Sequence, residues 1–160
     1  MTTTREKVVA YITHTDPDSG MHRLLVFTHP LSPEAGIQVP AGTMDPGELP
    51  EVAVLREAYE ETGLTDLEIV RFLGERTIDV RPWSKDEFHH RHFFHLLVRN
   101  TPPETWIHHE TDPSDLPGHP PIPFAFYWVP LPDGVPDLIG EQGALLSEIA
   151  LSPRVAIPEK

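Results

Sequence analysis

At 160 residues the chain has room for one compact domain with a real core but is short for two. With 39% hydrophobic and 23% charged residues it has a globular composition, and 25 Asp and Glu against 12 Lys and Arg give a formal charge of −13, a field that opposes binding to duplex nucleic acid. The absence of cysteine excludes disulfides, thiolate catalysis and cysteine-based zinc sites.

The residues after Met1 run into a strand-like segment without a signal-peptide apolar stretch. No apolar run approaches the ~18 residues of a membrane span, so a cytoplasmic protein with no membrane partner is expected. Val8 to Thr13 and Arg23 to Thr28 are β-rich and separated by the turn residues Thr15 to Gly20, which predicts a hairpin. After Pro30 and Pro33, Ile37 to Pro40 is a short extended piece, and a glycine-rich loop from Ala41 to Gly47 leads into a helix. Pro50 suits the first turn of that helix, Glu48 and Glu51 its positive end, and Gly63 its stop. Val52, Leu55 and Tyr59 form one apolar stripe, which is expected to pack on a sheet.

Beyond the helix, Leu67 to Leu73, Arg76 to Val80 and Arg91 to Arg99 read as strands. Pro102 to Pro123 is proline-rich and reads as loop, Phe124 to Val129 as a strand, and Leu138 to Leu151 as a second helix with Leu145, Leu146 and Ile149 inward. These elements predict a single α/β domain over residues 1–151, a mixed sheet flanked by two helices, with an irregular tail at 152–160.

The chemistry concentrates between Gly42 and Leu64. Glu57, Glu60 and Glu61 are spaced i, i+3 and i+4, so their carboxylates share a helix face opposite the apolar stripe. Their mutual repulsion would be offset by a hard, oxygen-liganded cation such as Mg²⁺ or Mn²⁺. Such a cation would also allow an anionic small substrate on an acidic protein. A solvated acidic face is the plainer reading of any one of these residues. Arg56 borders the acidic face, where Glu48 of the preceding loop can pair with it bidentately. Gly42 and Gly47 permit close approach and expose backbone carbonyls, which also serve as ligands.

The whole stretch resembles the Nudix box: Gly, five residues, Glu, seven residues, Arg-Glu, an apolar residue, any residue, Glu-Glu, any residue, Gly and an apolar residue. Gly42, Glu48, Arg56, Glu57, Glu60, Glu61 and Gly63 fill its fixed positions, and Ala58 and Leu64 its apolar ones. Gln38 to Gly42 also resembles the family's approach to the box. The resemblance implies an α/β/α Nudix sandwich with a mixed β-sheet flanked by helices. It also implies metal-dependent hydrolysis of a nucleoside diphosphate linked to another moiety, the substrate being a small nucleotide. By position, Gly42, Glu57, Glu60 and Glu61 would be metal ligands, and Glu48 and Arg56 would organise the catalytic site. In this family the general base is either a box glutamate, here Glu60, or a glutamate from a distant loop; of Glu87, Glu104, Glu110 and Glu141, Glu110 is favoured because Trp106 to Asp112 can fold over the site. A nucleotide-sensing module that binds without hydrolysing is the alternative, and such modules commonly lose box glutamates. Isoprenoid diphosphate isomerases resemble this fold but use a catalytic cysteine, absent here. Many Nudix enzymes are dimers, so a homodimer is a further expectation.

Substrate signatures outside the box are missing. The ADP-ribose proline, sixteen residues past the box, would fall at Val80, with Pro82 two places late, and the tyrosine of dinucleoside polyphosphate enzymes would fall at Arg81. Neither the coenzyme A signature nor the NADH motif is present. A nucleoside diphosphate sugar such as ADP-ribose is the generic expectation. Of the histidines, alternation puts His89, Arg91, Phe93 and His95 on one strand face and His90, His92, Phe94 and Leu96 on the other. Polar-face roles, with one or two contacting substrate phosphate, are expected ahead of a zinc site. His108 and His109 form a second pair, and Trp83, Trp106, Phe124, Phe126 and Trp128 are available to the core or to a nucleobase.

Overall fold

Val8 to Ile12 are apolar on both alternations, the pattern of a strand covered on both faces, and this segment lies inside the sheet. The computed structural model describes residues 2–82, 85–110 and 121–149. Seven strands run β1 (Thr3–Thr15), β2 (His22–Thr28), β3 (Ala41–Thr43), β4 (Leu67–Asp79), β5 (Glu87–Val98), β6 (Thr105–Glu110) and β7 (Ile122–Pro130). They form one mixed sheet in the order β4-β5-β1-β2-β7-β6, with β3 also pairing β1. β1 and β5 are parallel, and every other pair is antiparallel. The expected β1–β2 hairpin forms, with Thr13 opposite Leu24.

The sheet separates two apolar clusters. Val8, Ala10, Ile12, Phe94 and Leu96 face helix α1 (Pro50–Thr62) and join Ala53, Val54 and Ala58. Val9, Tyr11, Phe93 and Leu145 face the other way, under the C-terminal segment. Trp106 stacks on Phe126 at 5.1 Å between centroids, and Phe124 and Phe126 are buried, so these rings are core. Trp83 and the tail at 152–160 lie outside the described residues.

Four expectations are corrected. The helix packs with its other face inward: Val52 and Tyr59 are 54% and 53% exposed, whereas Glu57 and Glu61 are 8% and 7% exposed. Small Ala53 and Ala58 let α1 approach the sheet closely, and the two carboxylates follow them inward because they share that face. The segment from Leu138 forms two 3₁₀ turns, Ile139–Glu141 and Leu146–Glu148, rather than a helix. Gly140 and Glu141 both take φ of 61°, which interrupts any helical run. Leu145 is nevertheless buried, with Leu146 and Ile149 packed beside it, so the inward residues were correct and their backbone was not. The third correction is β6, which occupies Thr105–Glu110 inside the stretch expected to be loop. Finally, the two strands predicted between Leu67 and Val80 are one, β4, whose irregular pairing at Ile69/Arg71 and Phe72/Gly74 absorbs the break in pattern.

Candidate active site

Helix α1 begins with Pro50 at its first position and ends at Gly63, whose left-handed φ of 79° turns the chain and whose N–H donates to Tyr59 O at 2.8 Å. This frame turns Glu57 and Glu61 towards the sheet and leaves Glu60 half-exposed at the rim. Gly42, paired with Val8, lies directly beneath Glu57. A Cβ at Gly42 would come within 2.0 Å of the Glu57 carboxyl carbon, so only glycine leaves room for that side chain. One residue earlier, the Ala41 N–H donates to Glu61 Oε1 at 3.2 Å.

Arg56 ties these pieces together. Its Nε and Nη2 donate to the two oxygens of Glu48, each at 2.8 Å, in a bidentate pair. Nη1 donates to Glu57 at 2.9 Å and to Glu60 at 3.2 Å, and Nη2 also donates to Thr43 O at 3.2 Å. Glu48 in turn accepts from the Asp45 N–H at 2.9 Å, which closes the loop onto the helix.

Strand β6 covers the other side. Trp106 Nε1 donates to Thr62 O at 2.9 Å, and His108 Nε2 lies 3.1 Å from Glu60 O. Both satisfy carbonyls at the end of α1 that have no partner within the helix. Glu110, two residues further on the same strand face, joins Glu57, Glu60, Arg56, Arg5 and Met44 around a cavity of about 550 Å³. The structure thus places Gly42, Glu48, Arg56, Glu57, Glu60 and Glu61 close to one another, with Glu110 beside them. Glu87, Glu104 and Glu141 do not line this cavity.

The electrostatics separate the carboxyls. The Arg56 guanidinium holds Glu48 down to about 2. Burial pushes Glu57 up to about 7 against the opposing pull of Arg56, and Glu60 and Glu110 raise it further. Burial, with the charges of Glu110 and Glu57, also holds Glu61 well above the ordinary carboxylate range. Sequence reading missed two cations here. Arg5 lines the cavity and the Lys7 charge acts on Glu61. Both lie on β1, more than thirty residues before the box, and only the β1–β3 register brings them close.

The donor set is entirely oxygen, its two inner carboxyls are costly to charge, and a glycine cradle holds one of them in place. Oxygen ligands suit a hard divalent cation, whose charge would offset the cost of ionising the buried carboxyls. The NUDIX domain family model matches residues 4–141, most of the chain.

The chain belongs to the Nudix family.

It is a Nudix pyrophosphohydrolase by family, and Nudix hydrolases generally use divalent metal ions. Solved Nudix structures share its fold. A MutT Nudix hydrolase from Burkholderia pseudomallei is 24% identical over 92% of this chain and 98% of its own, with a TM-score of 0.60. The C. elegans Ap4A hydrolase in a binary complex is 19% identical over 90% of this chain and 93% of its own, with a TM-score of 0.63. The Nudix domain of Shewanella oneidensis NrtR, crystallised with ADP ribose, is 14% identical over 92% of this chain and 87% of its own, with a TM-score of 0.61. No curated protein matches the sequence. No helix among the described residues is long and apolar enough to cross a membrane.

The raised Glu57 gives a signed prediction for this Nudix domain without metal. A carboxyl whose folded pKa exceeds its unfolded value binds more protons when folded, so its contribution to stability falls as pH rises from about 4.5 to about 7. In EDTA, Glu57→Gln should therefore match wild type in Tm near pH 4.5 and exceed it increasingly up to about pH 7.5. Thermal denaturation across that range checks it; a difference that stays flat or changes sign would refute the assignment.

Proposed function

We propose that the protein is a Mg²⁺- or Mn²⁺-dependent hydrolase that cleaves the diphosphate linkage of a nucleoside diphosphate joined to a second moiety. The observation that carries this reading is the inward turn of Glu57 and Glu61 beneath a cavity that Glu60 and Glu110 also face. Burying two carboxyls in place of an available apolar stripe costs stability, and a binding function explains why the helix is laid down that way.

In this reading Glu57, Glu60 and Glu61, with the Gly42 carbonyl, hold the metal. When bound, it neutralises the diphosphate and makes water nucleophilic at neutral pH. Arg56 and Glu48 position these ligands: one guanidinium fixes the loop, Glu57 and Glu60 together. Glu110 stands across from the box on a separate strand and accepts the proton of the attacking water, with Glu60 the other candidate base. Arg5, at the cavity wall, supplies positive charge for a phosphate. The neighbours bound to ADP ribose or named for Ap4A support a nucleotide substrate, and an ADP-ribose-like compound or nucleotide sugar is the class we favour.

Gly42→Ala should lower kcat by about 10²-fold, because Glu57 must move off the cradle and a shift of ~1 Å in a positioned group costs about that much. Steady-state kinetics with Mg²⁺ checks this, and a wild-type kcat would contradict it. Substrate class is tested by product analysis after incubation with ADP-ribose, nucleoside diphosphate sugars and dinucleoside polyphosphates, each with Mg²⁺ and with Mn²⁺. Metal-dependent release of a nucleoside monophosphate from one class is expected. Binding without turnover across the panel would make the protein a nucleotide-sensing module instead.

A further inference from the structure

A second constellation lies on the sheet itself. Parallel pairing sets Glu6 of β1 opposite His90 of β5, and antiparallel pairing sets Glu75 of β4 opposite His92. Alternation then puts His90 and His92 side by side on one face, with ring centroids 4.5 Å apart. Glu6 Oε1 sits between them, 2.8 Å from His90 Nδ1 and 3.1 Å from His92 Nε2. One atom each from Glu6, His90 and His92 falls within 4.8 Å of the others. None of these residues lines the cavity over the box.

We propose that Glu6, His90 and His92 form a binding site for one zinc ion, separate from the carboxylate site on α1. Two imidazole nitrogens and one carboxylate oxygen are a donor set for zinc and its transition-metal neighbours rather than for Mg²⁺. Ligands about 2.0–2.1 Å from a tetrahedral zinc stand ~3.3 Å from one another, so the spacings of 2.8 and 3.1 Å need to open only slightly. The fourth partner is in place as well. Glu75 Oε1 lies 2.6 Å from His90 Nε2, the nitrogen left over when Nδ1 faces the ion. A carboxylate on the far nitrogen fixes the tautomer and orientation of a ligating histidine. Two carboxylates also offset the charge of the cation. The ligands stand on two paired strands and their supporting carboxylate on a third, a rigid platform, while partial exposure of Glu6 and His90 leaves a coordination position open to water. Bound zinc would tie β1 to β5 where Thr3 to Lys7 pair with Glu87 to Arg91, near the sheet's edge.

The test is zinc stoichiometry by metal analysis after dialysis, with excess Mg²⁺ to occupy the box, in wild type and in Glu57→Gln/Glu61→Gln. One zinc per chain should remain in both, and it should be lost in His90→Ala and in His92→Ala. Glu75→Gln should retain the ion with about tenfold weaker affinity. Co²⁺ in place of zinc should give the visible bands of a four-coordinate site in wild type but not in His92→Ala. The imidazole ¹⁵N resonances of His90 and His92 in wild type should shift on adding zinc, a readout that does not depend on any variant folding. Unshifted resonances would overturn the proposal, as would zinc lost only with the box carboxylates.

Discussion

Glu61→Gln is expected to lower kcat by about 10³-fold while raising the Tm of the metal-free protein. Both effects follow from one geometry. Glu61 is buried and accepts from the Ala41 N–H, and its ionisation is opposed by burial and by the charges of Glu110 and Glu57. Glutamine keeps the shape and the carbonyl oxygen that accepts from Ala41, so the fold loses little. At neutral pH it also removes the cost of charging a buried carboxyl, because the raised pKa means the folded state opposes ionisation. Activity moves the other way. On the proposed mechanism the metal lowers the barrier by several kcal/mol, each 1.36 kcal/mol being tenfold in rate, and an amide in place of the carboxylate would weaken its binding. Kinetics and thermal denaturation on one preparation check both halves. A variant that loses activity because it is less stable would contradict the account.

Arg56→Ala is the second large effect, and here stability and activity should fall together. Arg56 donates to Glu48 twice, to Glu57, to Glu60 and to Thr43 O, so its removal leaves Glu48 and Glu57 as part-buried carboxylates without their cation. Breaking a buried charge pair from one side costs about 3 kcal/mol, and about 2–4 °C is lost per kcal/mol in a domain of this size. A fall in Tm of about 6–12 °C at pH 7 is expected. Glu48 supplies a pH signature. Its folded pKa lies near 2, below the unfolded value, so the pair stabilises above about pH 4.5 and that stability is lost as pH falls towards 2. The Tm gap between wild type and Arg56→Ala should close over that acid range. Arg56→Lys should not restore the loss, because a single ammonium cannot occupy both Glu48 oxygens in the fork geometry. A lysine variant with wild-type Tm would show that charge alone, and not the bidentate clamp, holds the loop.

The box was legible because its chemistry is local. Glu57, Glu60 and Glu61 lie within five consecutive residues, and helical geometry alone puts them on one face. The helix ends were legible for the same reason, through Pro50 and Gly63. Which face went inward was not, because the usual rule buries the apolar stripe, and here Val52, Leu55 and Tyr59 face solvent while Glu57 turns inward to the cavity wall and Glu61 turns inward to the Ala41 N–H. The C-terminal segment misled differently: Leu145, Leu146 and Ile149 have helical spacing, but the left-handed backbone at Gly140 and Glu141 breaks the helix. β6 hid between flanking prolines at 102, 103 and 113, although its own six residues carry none. The placement of Glu110 near the box was readable only as a choice among loop glutamates; what fixes it is Trp106 and His108 bonding to the end of α1. The Glu6–His90–His92 group lay beyond sequence reading altogether, since it depends on a parallel register between strands more than eighty residues apart.

The most direct test of the central claim is the initial rate of hydrolysis of a nucleoside diphosphate derivative as a function of free Mg²⁺, for wild type beside Glu61→Gln. The expected result is no rate in EDTA, a rate that rises to saturation with Mg²⁺ in wild type, and a Glu61→Gln rate near baseline throughout. Hydrolysis that persists in EDTA, or that is as fast in Glu61→Gln as in wild type, would contradict it.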